Sequence, residues 1–482
     1  TSGLRRSERN VPRPVKYQAY QKTIKFKLDP RGEKKVEKQF NIKSGAKSNI
    51  KKVIAYTFDA AQVVAKVMTN IHSKATIQGA SFAQQYILQK GMKVFGREKS
   101  SKAVSKELDQ LHKQNCFAPM DVSTLTSSEK KKAQQAMMLL TEKKDGTIKG
   151  RCVYNGKPLR EWLDKEDAAS PTVATESIML TATIDAKERR DIMTADVPNA
   201  FIQTKLPEGK VGEERVIMKI TGVLVNLIVD IAPEVYGPYV VVEKGKRVLY
   251  VQVLMVLYGM LVASLLWYKK IHADLQDIGL KFNLYDGCVA NRIIQGNQHT
   301  VRFHVDDVMS THQNKKVNDE FEDWLNKLYG EHGPVKSVIG KVHEYLGMKF
   351  DFSSEGKVII GMVEYMESMV DEFSEKINKL SVAPNPAADK LFSVDNEAKL
   401  LNKARQEEFH SVVYKGLFAC KRTRPDILPA IAFLCTRVKA PTEGDWTKLK
   451  RLLKYVNGTR KEVLTLSADD LHVLKWYVDA SF

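Results

Sequence analysis

The chain has 482 residues, with 76 Lys and Arg against 57 Asp and Glu, a formal charge of +19. A hydrophobic fraction of 43% and a charged fraction of 28% are those of a folded globular protein and exclude a wholly disordered tail. The length suits about three folding units, and the positive surplus points to a polyanionic partner.

Residues 1–52 hold 16 Lys and Arg against 4 Asp and Glu, and their apolar positions keep no period. Residues 1–93 therefore read as a basic, largely disordered linker. Val104, Leu108 and Leu111 fall at helical spacing and predict an amphipathic helix ending before Asn115. Met137 to Leu140 and Ile148 to Tyr154 predict two strands around an Asp145-Gly146 turn, a ribbon carrying Lys143, Lys144, Lys149 and Arg151. Helical spacing resumes near Ile178, and the strand Ile192-Met193-Thr194-Ala195 delivers Asp196 at its end.

Trp267, Ile271, Leu275 and Ile278 predict one helical face that stops at Gly279. Val317, Phe321, Trp324 and Leu328 predict another that stops at Gly330. Between them, residues 301–310 alternate as a single strand. Tyr345 to Phe352 and Lys357 to Ile360 read as the two strands of a hairpin around Ser353-Ser354-Glu355-Gly356, followed by a helix with Val363, Met366, Val370 and Phe373 inward. After the Pro-rich stretch 383–386 the chain reads as helical to about Gly458, with Trp446, Leu449, Leu453 and Val456 on the inner face of the last helix. Residues 473–480 read as a strand with no following partner.

Five scattered cysteines (Cys116, Cys152, Cys288, Cys420, Cys435) with no CxxC spacing predict a reduced compartment and no structural metal. The longest nearly uncharged run, residues 253–268, is shorter than the roughly twenty residues that span a bilayer, so no membrane partner is expected. With Thr1 first and no signal-peptide pattern, the sequence reads as a piece of a longer precursor.

The chemistry is carried by Phe303-His304-Val305-Asp306-Asp307-Val308-Met309. Adjacent carboxylates among apolar β-formers repel each other and cost desolvation energy, which a cation would relieve. The plain alternative is an exposed turn tip. Asp196, also at a strand end, lies 110 residues upstream of Asp306. Oxygen donors without His or Cys suit Mg²⁺. Two such ions about 3.5–4 Å apart activate an attacking hydroxyl and stabilise a leaving pyrophosphate. With hairpin cations to meet a triphosphate, the set describes in-line phosphoryl transfer.

Five strings in order, Asp196-Val197-Pro198-Asn199-Ala200-Phe201, Leu257-Tyr258-Gly259 with Trp267-Tyr268, Val305-Asp306-Asp307, Tyr345-Leu346-Gly347 and Thr423-Arg424-Pro425-Asp426-Ile427, resemble the reverse transcriptase of copia-type LTR retrotransposons. The resemblance covers roughly residues 100–480. It implies an α/β (α+β) right-hand polymerase with fingers (94–192), palm (193–362), thumb (363–395), a mainly helical connection (396–470) and the first strand of a truncated ribonuclease H domain (471–482).

By the same resemblance, Asp196, Asp306 and Asp307 hold two Mg²⁺ ions, with Mn²⁺ able to substitute. Lys144 and Arg151 meet the triphosphate, with Lys143 able to stand in for Lys144. Phe201 is the steric gate against a 2′-hydroxyl, and Gly259 lets a base pair approach the backbone. Tyr345 to Met348 resemble the hairpin that grips the primer terminus, and Arg424 and Asp426 pair structurally in a tether. Asp479 matches the first ribonuclease H carboxylate, and without the later ones no RNA degradation is expected. His304 stands where the family has Tyr, Leu261-Val262 replace a polar Lys-Gln pair, and Ser264 replaces Pro.

The implied activity is RNA-directed DNA polymerisation. Its partners are an RNA and DNA template-primer, dNTPs and the integrase and ribonuclease H portions of the same polyprotein, first in cytoplasmic virus-like particles and then in the nucleus. The alternative is a catalytically inactive remnant that only binds nucleic acid, which the Leu261-Val262 changes and the end at Phe482 favour. A nucleotidyltransferase with a similar palm but no reverse-transcribing activity is a third reading.

Overall fold

Strand formers that are buried on both faces must lie inside a sheet, and Ile192, Met193 and Ala195, all 5% exposed or less, do so. The computed structural model describes residues 85–143, 145–161, 168–206, 215–331, 333–378, 380–395 and 397–471. The chain divides into two units, Thr1–Lys74 and Ala75–Phe482. The first unit, including most of the expected basic linker, lies outside the described residues, as do Lys144, the expected strand 473–480 and Asp479.

Three sheets form along the chain. Strands β1 (Gln85–Ile87), β2 (Phe117–Pro119), β3 (Gln134–Glu142) and β4 (Ile148–Tyr154) begin the first sheet, and β5 (Asp191–Asp196) begins the second. The chain then returns to the first sheet with β6 (Ile217–Thr221), β7 (Val241–Glu243) and β8 (Lys246–Val253). It completes the second with β9 (Lys281–Phe282), β10 (Val289–Ile294), β11 (Asn297–His304), β12 (Asp307–His312) and β13 (Lys336–Gly340). The order there is β13-β5-β12-β11-β10-β9, all antiparallel where registers are defined. The third sheet joins β14 (Val342–Tyr345), β15 (Met348–Asp351), β16 (Lys357–Gly361) and β17 (Leu464–Ser467).

The helix Arg97–Lys113 buries Val104, Leu108 and Leu111 as its spacing predicts, against the first sheet. The helices Thr175–Lys187, Ala263–Asp277 and Lys315–Tyr329 pack the second sheet through Ile178, Trp267, Ile271 and Phe321. The helix Val363–Asp371 packs with Lys403–Cys420 and Glu443–Gly458, which in turn contact Leu428–Arg437. Among the described residues no helix is long and apolar enough to cross a membrane.

Residues 85–93, expected as linker, instead form β1 and most of the helix Leu88–Phe95, packed on the first sheet, and three further expectations need correction. Residues 301–310 are a hairpin, not one strand, with Val305-Asp306 as the connection between β11 and β12. A β-branched residue holds the positive φ there, Val305 at +57°, where Gly or Asn is usual, and only Asp306 marks the bend. Tyr345 to Phe352 is likewise broken, because Leu346 and Gly347 both take positive φ and turn β14 into β15. In the helix Lys315–Tyr329 the inward face ends in Leu325 and Tyr329, while Leu328 is 40% exposed. The Tyr329 ring meets Trp267 edge-on at 5.3 Å, a contact available only across the fold.

Buried polar groups lock the second sheet to its helices. Arg302 of β11, fully buried, donates to the Asp185 carboxylate at 2.7 Å, and Thr311 of β12 donates to the other Asp185 oxygen at 2.8 Å. Truncating either charge would strand the other away from water.

Candidate active site

The second sheet places the three carboxylates. β5 and β12 pair so that Asp196 and Asp307 are direct backbone partners. Asp306, in the two-residue connection, accepts a hydrogen bond through its carbonyl from the Val197 N–H at 2.9 Å. The Trp267 indole N–H donates to the Val305 carbonyl at 2.7 Å, so the same turn is held from the helix side. A positive φ at valine costs on the order of 1–3 kcal/mol, and these bonds over-determine it. The turn-tip reading of the sequence is thus right about the bend, but the tip is half-buried rather than exposed.

Their electrostatics follow from that crowding. Burial, then the charges of Asp306 and Asp196, pushes the Asp307 carboxyl up to about 7. Burial also raises Asp306, with Asp196 adding to the rise and Arg151 and Lys149 opposing it. The negative charge here is under-compensated, which a cation relieves.

The β3–β4 ribbon supplies the facing cations. Lys149 is pulled down by burial and by repulsion from Arg151 and Lys143, while Glu107 and Asp196 hold it up. The Arg151 guanidinium lies 4.1 Å from the Tyr258 ring centre. Tyr258 in turn meets Phe201 edge-on at 5.0 Å. Phe201, in the 3₁₀ turn Ala200–Gln203 just after Asp196, is half-buried and packs on the cores of both the first and second sheets.

Gly259 has φ +88°, and a Cβ there would lie 2.3 Å from the Tyr154 carbonyl oxygen and 2.3 Å from Val153 Cγ1. The close neighbour of its backbone is therefore β4 itself, whose Tyr154 N–H donates to the Tyr258 carbonyl at 2.8 Å. Leu261 and Val262 sit in the turn before the helix Ala263–Asp277, and Val262 caps it without a side-chain hydrogen bond.

Of the residues singled out in the sequence, Asp196, Asp306, Asp307, Arg151, Phe201 and Gly259 thus fall around one site. Arg424 lies elsewhere and pairs with Asp426 at 2.7 Å while donating to the Thr459 carbonyl, a structural clasp as expected. Lys149 stands out in the sequence only by its place on the ribbon, Tyr258 only within the Leu257-Tyr258-Gly259 string, and Glu107 not at all. Alternation along β4 puts Lys149 two residues from Arg151, the signal that could have found it.

A donor set of two half-buried carboxylates, Asp306 and Asp307, beside the exposed Asp196 suits a hard divalent cation. Among the described residues no three acidic, imidazole or thiol groups already form a metal-holding cluster.

Residues 122–385 match the family model described as "Reverse transcriptase (RNA-dependent DNA polymerase)". The chain is 23% identical over 391 residues to the retrovirus-related Pol polyprotein from transposon TNT 1-94 of Nicotiana tabacum, a match covering 79% of this chain and 27% of that protein. It is 25% identical over 225 residues to a putative transposon Ty5-1 protein of Saccharomyces cerevisiae, covering 47% and 70%. It is 23% identical over 347 residues to the retrovirus-related Pol polyprotein from transposon RE2 of Arabidopsis thaliana, covering 70% and 21%. The chain thus spans about a quarter of the length of the Pol polyproteins it matches.

Proposed function

Because the chain belongs to the reverse transcriptase (RNA-dependent DNA polymerase) family, as the region found in copia-type retrotransposon Pol polyproteins, we propose that it extends a primer 3′-hydroxyl on an RNA template with dNTPs. The observation that carries this reading is the direct pairing of Asp196 with Asp307, with Asp306 in the adjoining turn and Arg151 and Lys149 in its field.

Asp196, Asp306 and Asp307 would hold two Mg²⁺ ions. The chemistry such ions supply is activation of the primer hydroxyl and neutralisation of charge on the leaving pyrophosphate. The chain's own part is positioning. Arg151 and Lys149 meet the triphosphate, an exchange in which the guanidinium leaves the Tyr258 face for phosphate oxygens. Phe201, wedged between two cores and against Tyr258, has little freedom to yield to a 2′-hydroxyl. The turn bonds from Trp267 and Val197 fix the Asp306 backbone while its carboxylate turns to a ligand.

Within this reading β2 to β4 and the helix Arg97–Lys113 belong to the fingers (94–192), β1 precedes that span, and strands from the palm span (193–362) complete the sheet. The helices after Met362 form the thumb (363–395) and connection (396–470). Template and primer RNA and DNA, and the integrase and ribonuclease H portions of the polyprotein, are its proposed partners.

The test is primer extension on poly-rA with dTTP and Mg²⁺, comparing the natural chain with Asp306→Asn. Extension by the natural chain alone supports the polymerase. No extension by a soluble chain that binds RNA equally with and without Mg²⁺ supports the nonenzymatic remnant.

A further inference from the structure

A strand paired on one side only must satisfy its outer N–H groups elsewhere. Among the described residues β4 pairs with β3 alone. The Tyr154 N–H finds the Tyr258 carbonyl, and the Cys152 N–H donates to the Glu107 carboxylate at 2.9 Å. The helix Arg97–Lys113 comes so close to β4 that a Cβ at Gly150 would lie 2.8 Å from the Ala103 carbonyl oxygen. Glu107 is one helical turn beyond Ala103, and Cys152 is two strand residues beyond Gly150, so both steps cover about 6 Å and the two meet.

Sealing an edge needs only an acceptor, and an amide would do it without burying a charge. Glu107 is a half-buried carboxylate nonetheless. Burial pushes it up, and the Cys152 N–H and the charges of Arg151 and Lys149 pull it back. The same carboxylate supports the charge on Lys149, against repulsion from Arg151 and Lys143. Gly150 turns toward that helix, so by alternation Lys149 and Arg151 point away from it and Glu107 lies behind them.

We propose that Glu107 is a positioning residue whose negative charge, acting through Arg151 and Lys149, sets how tightly those cations hold the nucleotide triphosphate and release pyrophosphate. The inference rests on the polymerase reading above. Partial neutralisation from behind leaves the pair cationic enough to bind the incoming nucleotide, yet weak enough to let the product go.

The test uses the full chain bound to oligo-dT on poly-rA, with Mg²⁺. Glu107→Gln keeps an acceptor for the Cys152 N–H and removes the charge. It should lower the KM for dTTP and the concentration of inhibiting pyrophosphate by about threefold or more, without raising kcat and with little change in melting temperature. Glu107→Asp keeps the charge and shortens the reach, so it should lower the melting temperature while leaving KM near the natural value. An equilibrium titration with labelled dTTP runs beside both.

Extension by the natural chain with KM and Kd unchanged or raised in Glu107→Gln overturns the role of Glu107 and leaves the polymerase standing. No extension, with dTTP bound and bound more tightly by Glu107→Gln, overturns the polymerase reading and upholds the charge effect. No binding of dTTP by either protein overturns both. If Glu107→Gln does not fold, a Glu107→Asp chain with a KM shifted threefold or more overturns the inference.

Discussion

Asp196 and Asp307 face each other as backbone partners on neighbouring strands, and the Val197 N–H bonds the Asp306 carbonyl across the same join. The sheet ladder and the turn bonded to it therefore keep three like charges together. Asp307→Asn and Asp306→Asn should each cut extension by at least about a hundredfold. In EDTA, however, Asp307→Asn should melt higher than the natural chain, gaining about 1 kcal/mol from relieved repulsion. A lower melting point in scanning calorimetry would show that the carboxylates are already compensated.

The Arg151 guanidinium rests on the Tyr258 ring, and both its charge and its planar face matter. Arg151→Ala should raise the dTTP KM about tenfold. Arg151→Lys should recover part of that loss, because an ammonium keeps the charge but neither stacks as well nor grips phosphate with two parallel bonds. Steady-state kinetics that put Lys level with Ala would assign the role to the guanidinium plane alone.

Phe201 touches two cores and the Tyr258 ring, so its position is set from three sides. Phe201→Ala should loosen discrimination against ribonucleotides more than it lowers dTTP incorporation. Competition between dTTP and UTP on one template reads the ratio directly, and an equal loss on both sinks the gate assignment.

Much of this site was legible from residues alone. Ile192 to Ala195 is a run of apolar residues and Thr that ends in Asp196, and the Asp145-Gly146 turn between β-formers announced the ribbon that carries Arg151. The turn at Val305-Asp306 was legible only as the plain alternative to a continuous strand, and its half-burial was not, because the turn is held by the Trp267 and Val197 hydrogen bonds from distant elements. The same holds for Tyr329 in place of Leu328, since only the fold brings Trp267 to that helix. Tyr258 and Glu107 matter through β4, more than a hundred and more than forty residues away respectively, and no local pattern joins them to it.

At Gly259 the left-handed backbone and the 2.3 Å approach of Tyr154 oxygen coincide, so two separate penalties meet in one substitution. Gly259→Ala should cost about 3 kcal/mol or more and shift β4, carrying Arg151 with it. Denaturant unfolding measures the first effect and the dTTP KM the second. Stability within 1 kcal/mol of the natural chain would mean that β4 can back away freely.

The last prediction concerns His299, which is fully buried on β11. Arg292 Nε donates to its Nδ1 at 3.0 Å, so Nε2 carries the proton and donates to Ser310 Oγ at 2.8 Å. Ser310 passes the chain to Asn318, whose amide donates to Asp191 at the start of β5. Burial, then the charges of Arg292, His312 and Arg190, pushes His299 down to about 3. An unfolded histidine takes its proton near 6.5, so between these values the unfolded chain binds one proton more. This contribution is complete above pH 6.5 and is lost as pH falls towards 3, at about 1.4 kcal/mol per pH unit. His299→Gln keeps an acceptor for Arg292 and a donor for Ser310 but cannot titrate. Its stability in urea should therefore fall less steeply than that of the natural chain between pH 6.5 and pH 4.5. Equal slopes would mean that the imidazolium is accommodated in the folded sheet and that the Arg292–His299 hydrogen bond yields to it.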